Sequence, residues 1–218
     1  MNKVFTPLIV AFLVLFFAPH GDAFADEIVT VTVNTSSLPT TPTVPGSEIY
    51  FDLTDGSGTG DANNTVTISN ISLGGGAPGA IDTSSFGISG GESGNLASGV
   101  SLTDSSFLNQ FAQFFTAGSS ISFNLDLTTN VDAGLVPDQF SMFIYDPNGN
   151  PIPSSDPSGF DSLLLVNLDS PNPMINNYNS ALVSTAPVPE PGTLLLLVFG
   201  LAALGLWWKK QALSQQIA

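Results

Sequence analysis

The chain has 218 residues, no cysteine, and a formal charge of −15. Without thiols, disulfides and thiolate metal sites are excluded. Its three basic residues (Lys3, Lys209, Lys210) and its one histidine (His20) lie near the ends, while all of the 18 acids except Asp22 and Glu190 fall within residues 26–186. That stretch therefore carries −16 with no internal counter-charge. Internal salt bridges are impossible there, and nucleic acid is excluded as a partner because phosphate neutralisation needs Lys or Arg. The self-repulsion must be relieved by spacing, screening or bound cations.

The N-terminus opens with Lys3, followed by the unbroken apolar run Leu8 to Phe17. Ala23 and Ala25 then supply small residues where a signal peptidase reads them. This order is that of a secretory signal over residues 1–25, cleaved before Asp26. The apolar run of about ten residues is too short to span a hydrocarbon core of ~30 Å.

Residues 26–186 form the exported domain, long enough for a single core. Val29, Val31 and Val33 alternate with threonine and asparagine. Ile49, Phe51 and Leu53 alternate with Tyr50, Asp52 and Thr54. Val66 and Ile68 share a face, and Ile71 and Leu73 resume one residue out of phase. That slip predicts a β-bulge near Ser69-Asn70. Phe107, Phe111, Phe114 and Phe115 fit helical spacing after a cap at Asp104 or Ser105, while Phe107, Phe111 and Phe115 also fit alternation; of the two, a short helix or turn is expected. Further alternation follows in Ile121–Leu127, Phe140–Ile144 and Leu164–Leu168. Asp146-Pro147-Asn148-Gly149-Asn150 reads as a hairpin loop. A period of two with Gly, Pro, Asn, Asp and Ser between the runs predicts about eight to ten short strands. The expected fold class is mainly β: an antiparallel β-sandwich or jelly roll.

The C-terminal portion, residues 187–218, changes character. Leu194 to Trp208 is apolar throughout and ends in Trp207-Trp208 and Lys209-Lys210. A helix over about residues 193–208 would place the tryptophans at a membrane interface and the lysines on the cytoplasmic side. A buried core helix would need a polar stripe, which this segment lacks. Just before it stands Val188-Pro189-Glu190-Pro191. The two prolines keep the backbone extended and present the Glu190 carboxylate just outside the membrane. Pro-Glu-Pro directly ahead of a terminal apolar helix and a basic pair resembles a PEP-CTERM sorting domain. Two features depart from that pattern: the basic cluster is two lysines instead of several arginines, and a tail, Gln211 to Ala218, follows. The resemblance implies export through the secretion machinery, transient anchoring in the inner membrane, handling by an exosortase at Pro189-Glu190-Pro191, and delivery to the cell surface or outside. It also implies association with exopolysaccharide or biofilm.

Two chemistries remain to be weighed. In Asp55-Gly56-Ser57-Gly58-Thr59-Gly60-Asp61-Ala62-Asn63, oxygen side chains recur at alternate positions with Gly at the sixth. Hard cations need such oxygens on a tightly curled backbone, so Asp55, Ser57, Thr59, Asp61 and Asn63 are candidate calcium ligands. Val66 stands where the calcium loop puts its bidentate Glu, and the plainer reading is a polar hairpin loop between Thr54 and Thr65. No cofactor is required by the sequence. Catalysis has little support: the domain has no thiol, imidazole or Ser–Lys pair, and no pair of its many carboxylates stands out, so no enzyme is expected. Three Asn-x-Ser/Thr triplets, at Asn34, Asn63 and Asn70, fit chance in so Asn-, Ser- and Thr-rich a chain. The expected role is structural or interactive. The alternative is a carbohydrate-binding module using exposed aromatics among Tyr50, Tyr145 and Tyr178, with or without calcium's help.

Overall fold

The computed structural model describes residues 27–38, 46–83, 90–130, 136–168, 173–188, 199–201 and 204–205. Alternating apolar residues in the order read above produce twelve strands among them. These are β1 (Glu27–Asn34), β2 (Ser47–Thr54), β3 (Thr65–Ser72), β4 (Ala77–Ile81), β5 (Ser93–Asn95) and β6 (Gly99–Thr103). They continue with β7 (Leu108–Thr116), β8 (Ser120–Leu127), β9 (Gln139–Tyr145), β10 (Leu164–Asn167), β11 (Met174–Asn177) and β12 (Val183–Pro187).

The strands form two six-stranded sheets, ordered β12-β1-β8-β3-β6-β5 and β11-β10-β9-β2-β7-β4. The first is called sheet A and the second sheet B. Pairing is antiparallel in both, as in β1 with β8 (Val31 opposite Phe123) and β2 with β7 and β9 (Phe51 opposite Phe111 and Met142). Most consecutive strands lie in different sheets, so the chain repeatedly crosses the ends of the sandwich.

Between the sheets lies one core. Val31, Val33, Val66, Ile68, Ile121, Phe123, Leu125 and Leu127 face inward from sheet A; Ile49, Phe51, Leu53, Phe111, Phe115, Phe140, Met142 and Ile144 face inward from sheet B. Phe51 is its centre. It packs edge-on to Phe123 across the interface at 5.5 Å between ring centroids and stacks beside Phe111 and Phe140 at 6.1 Å each. Pairs of this geometry add to the area term of burying each ring.

The bulge expected near Ser69-Asn70 is present. The β3–β8 register shifts between Ser69 and Ser72, and Asn70 sits at φ 52°. Asn tolerates this left-handed conformation better than most residues. The hairpin at Asp146 also forms: the Asp146 and Gly149 amides close the turn, with Gly149 at φ 78°.

Two expectations are corrected. Residues 108–116 are strand β7, not a short helix or turn. Phe111 and Phe115 do lie four apart, but on one face of a strand, paired edge to edge with β2. Long-range pairing therefore overrides a local spacing that fits both periods. Residues 55–64 are not a hairpin loop. They carry the chain from β2 in sheet B to β3 in sheet A.

Residues 186–218 form a separate unit from the sandwich. Its described helical residues are Phe199–Leu201 and Leu204–Gly205. Among the described residues no helix is long and apolar enough to cross a membrane. The candidate signal residues Ala23 and Ala25, the tripeptide Pro189-Glu190-Pro191, and Trp207, Trp208, Lys209 and Lys210 lie outside the described residues.

Candidate functional site

Alternation along β2 divides its side chains. Ile49, Phe51 and Leu53 enter the core, so Glu48, Tyr50 and Asp52 must project from the outer face of sheet B. Register fills in the neighbours. Opposite Glu48 stand Phe114 on β7 and Tyr145 on β9; opposite Tyr50 stand Ala112 and Phe143; opposite Asp52 stand Gln110 and Ser141. The result is a three-by-three block of two acids, one amide, four aromatic rings, Ala112 and Ser141. Sheet A's outer face is different in kind. There Thr30, Thr32, Ser122, Asn124, Asp126, Thr67 and Ser101 occupy the equivalent central positions, with one acid and no aromatic ring among them.

The sheet-B block is tightly held. Tyr50 and Tyr145 meet with ring centroids 5.0 Å apart at an interplanar angle of 57°. The Tyr50 hydroxyl donates to Glu48 Oε2 at 2.9 Å. Glu48 and Gln110 are buried, at 8% and 7% exposure, whereas Tyr50, Asp52, Phe143 and Tyr145 are half-buried. Burial pushes the Glu48 carboxyl up to about 7; Asp82 nearby adds to the rise and the Tyr50 hydroxyl opposes it. Burial likewise lifts Asp52 to about 6, against a hydrogen bond from Gln110. Tyr145 is raised by burial and then by the charges of Asp52, Glu48 and Asp161. In most proteins a Lys or Arg would offset such carboxylates. This domain has none. Three buried acceptor atoms here, Glu48 Oε1, Asp52 Oδ1 and Gln110 Oε1, accept no hydrogen bond.

A second acidic cluster closes one end of the sandwich. Asp104 and Asp138 are fully buried beside Asn64. The Asn64 backbone N–H donates to both Asp104 oxygens at 3.1 Å, and its side-chain amide donates to Asp138 Oδ2 at 2.7 Å. The Gly56 amide donates to Asp138 Oδ1 at 2.7 Å. Burial pushes Asp104 up to about 7, and a hydrogen bond with Asp138 adds to the rise. Through Asn64 and Gly56, Asp104 and Asp138 tie three crossing loops together.

The candidate calcium residues occupy the adjoining loop. Asp55 is fully buried and holds the loop in shape. Its Oδ1 accepts from the Ser57 hydroxyl at 2.7 Å and the Gly58 amide at 2.8 Å, while Oδ2 accepts from the Gly60 amide. Burial alone would raise its carboxyl, but these donors outweigh it and hold Asp55 below the usual range. Ser57 and Thr59 hydroxyls bond each other at 2.7 Å, and Asp61 accepts from the Asn63 amide at 3.2 Å. Loop donors thus surround the Asp55 carboxylate. Among the described residues no group of three or more acidic or His side chains is placed to hold a metal. Asp146 and Asp156 organise their own turns in the same manner, through Asn148 and Asn150 and through Ser158 and Ser162. Lacking cations, the domain neutralises many of its acids with N–H and O–H donors.

Of the three candidate aromatics, the fold brings Tyr50 and Tyr145 together. Tyr178 lies just past β11, at the edge of sheet B, where its carbonyl accepts from the Ser155 amide at 2.9 Å. Val188, half-buried, is the one described residue of the sorting tetrapeptide and follows the last residue of β12. The sequence reading did not single out Glu48, Asp52 or Gln110. Glu48 and Asp52 carry a signal in their parity with Tyr50, opposite to Phe51. Gln110 is placed only by the β2–β7 register.

Comparison with known protein families places the PEP-CTERM protein-sorting motif at residues 187–210. The chain therefore carries this sorting motif at its C-terminal end, and the motif indicates an exported protein handled by an exosortase. It begins at Pro187, the last residue of β12. Comparison with curated proteins and with solved structures finds no match.

Proposed function

We propose that this chain delivers an acidic β-sandwich to the bacterial surface or extracellular matrix. Residues 1–25 act as the secretory signal, residues 26–186 are the delivered domain, and residues 187–218 hold it in the inner membrane through a helix over about residues 193–208. An exosortase then acts at Pro189-Glu190-Pro191. The observation that carries this reading is the sorting motif at residues 187–210, which begins at the last residue of β12. Twelve strands with one continuous core suit a cargo that folds after export, and the absence of thiols makes that folding independent of an oxidising partner. The delivered domain acts by structure and binding, not catalysis, in association with exopolysaccharide.

Fractionation of cells producing the chain tests this. Wild-type protein is expected outside the inner membrane in a host with an exosortase. A Pro189→Ala, Glu190→Ala, Pro191→Ala triple variant is expected to stay in the membrane fraction. Equal release of both would sink the sorting role.

A second reading, that the domain binds carbohydrate, is favoured by one specific observation. The outer face of sheet B gathers Tyr50, Phe143 and Tyr145 around hydrogen-bonding acids, as a sugar platform requires. Aromatic rings take the apolar faces of sugars, and carboxylates accept from their hydroxyls.

A further inference from the structure

The last strand of the sandwich is held unevenly. β12 is an edge strand: in sheet A it lies beside β1, and among the described residues no strand flanks its other side. Its hold on the domain is concentrated at its start. Val183 is 2% exposed and belongs to the core. The Val183 amide donates to the Asn179 carbonyl at 2.8 Å, and the Val183 carbonyl accepts from the Asn177 side-chain amide at 2.6 Å. Just before it, the Leu182 carbonyl accepts from the Asn34 amide at 2.8 Å. Past Val183 the anchoring stops. Ser184, Thr185, Ala186 and Pro187 are all exposed. In a strand lining a core, Thr185 and Pro187 would share the buried face of Val183. Neither is covered, so this part of β12 adds little apolar burial and is held by edge pairing. The division between the sandwich and the C-terminal unit falls inside the strand, after Thr185.

The sorting motif begins on this loosely held part. It starts at Pro187, and Val188 alone separates β12 from Pro189-Glu190-Pro191. An enzyme that acts on a backbone segment takes it extended and unpaired, which in a folded protein means after local opening. With β12 closed, the chain on the N-terminal side of the tripeptide is sheet up to one residue away.

We infer that residues 184–187 of β12 are a strap that unpairs from β1 to present Pro189-Glu190-Pro191 to the exosortase, while Val183 stays anchored in the sandwich. The inference rests on exosortase action at the tripeptide and adds the step that precedes it. Opening frees four residues, about 13 Å of chain at ~3.3 Å each. None of the four side chains belongs to the core, so the sandwich stays folded while the strap opens. β12 lies on the N-terminal side of the tripeptide, so it remains with the delivered domain. There it re-closes beside β1, whose edge would otherwise be open to pairing with other chains.

Pulse-chase release of the full chain from the membrane fraction of an exosortase-bearing host tests the inference. Ser184→Gly with Ala186→Gly weakens strand pairing at exposed positions and is expected to speed release about fivefold. Ser184→Val with Ala186→Val favours the strand and is expected to slow release about threefold. A flexible insert of about six Gly and Ser residues between Pro187 and Val188 supplies the slack directly, and in that background both pairs are expected to release at one rate. Thermal midpoints of the substituted chains are expected to match wild type within about 2 °C. Unchanged release in both pairs overturns the inference by showing that β12 need not open. Effects that persist undiminished with the insert overturn it by showing that the enzyme reads the substituted side chains. Midpoints that move with the release rates overturn it by tying release to global unfolding. In each of these cases the sorting reading stands so long as the Pro189→Ala, Glu190→Ala, Pro191→Ala variant stays in the membrane. Release of that variant at the wild-type rate removes the reading and the inference together.

Discussion

Replacing Asp104 by Asn should make the domain more stable at neutral pH, not less. Asp104 is fully buried against Asp138, with Asp61 also acting on it, and no cation lies in the domain. Its carboxyl rises from 3.8 to about 7 on folding. A raised carboxyl makes the folded state hold its proton more tightly. The stability this provides is full below the unfolded value near 3.8 and is lost as pH climbs through about 7. Three pKa units correspond to a ceiling of ~4 kcal/mol, and halving for relaxation and screening leaves ~2 kcal/mol. For a domain of this size that is a melting shift of about 4–8 °C. The substituted asparagine would keep an oxygen for the Asn64 amide and offer its own amide to Asp138, so the loop junction survives without a proton. The assay is circular-dichroism melting of the full chain in detergent micelles across pH 4 to 8. Wild-type midpoints should fall as pH rises, and Asp104→Asn should remove a large part of the fall while matching wild type near pH 4. A variant melting no higher than wild type at pH 8, or a wild-type midpoint that rises from pH 5 to 8, would refute the reasoning.

Other outcomes follow from the same packing and charge arguments. Glu48, raised to about 7, and Asp52, raised to about 6, add to the loss of stability with rising pH, while lowered Asp55 and Asp156 lose theirs as pH falls below about 4; midpoints should therefore peak near pH 4 to 5. Asp55→Ala deprives the Gly58 and Gly60 amides and the Ser57 hydroxyl of their acceptor, and chemical denaturation should show a loss of about 2–4 kcal/mol. Phe51→Ala empties the centre of the aromatic cluster and should cost about 3–5 kcal/mol by the same measurement. A calcium site in the 55–63 loop predicts a higher melting midpoint with calcium than with chelator at low ionic strength; an unchanged midpoint would remove it.

Sequence pattern carried the fold furthest where one sheet face is buried. Val29, Val31 and Val33, or Ile121 through Leu127, alternate because every second residue meets the core, and they form strands as read. Even the bulge at Asn70 was legible, since a phase slip between Ile68 and Ile71 has few other causes. Legibility failed where pairing decides. Phe111, Phe114 and Phe115 fit two periods, and only the register with β2 selects strand β7. The destination of the 55–64 loop was hidden too, because nothing local tells a turn within one sheet from a crossing between two. The candidate face depends on both. Tyr50 and Tyr145 were marked as aromatics, but their meeting and the placing of Gln110 beside Asp52 come from three strands distant from one another in the chain. The Asp104–Asp138 pair is likewise a product of topology: its members belong to different loops and share no motif.

The delivery account stands or falls on the termini of the mature protein. Intact-mass spectrometry of the form recovered outside cells should show a chain beginning at Asp26 and ending within or just before Pro189-Glu190-Pro191, having lost the apolar segment that follows. A full-length chain beginning at Met1 and recovered from the cytosol would contradict it.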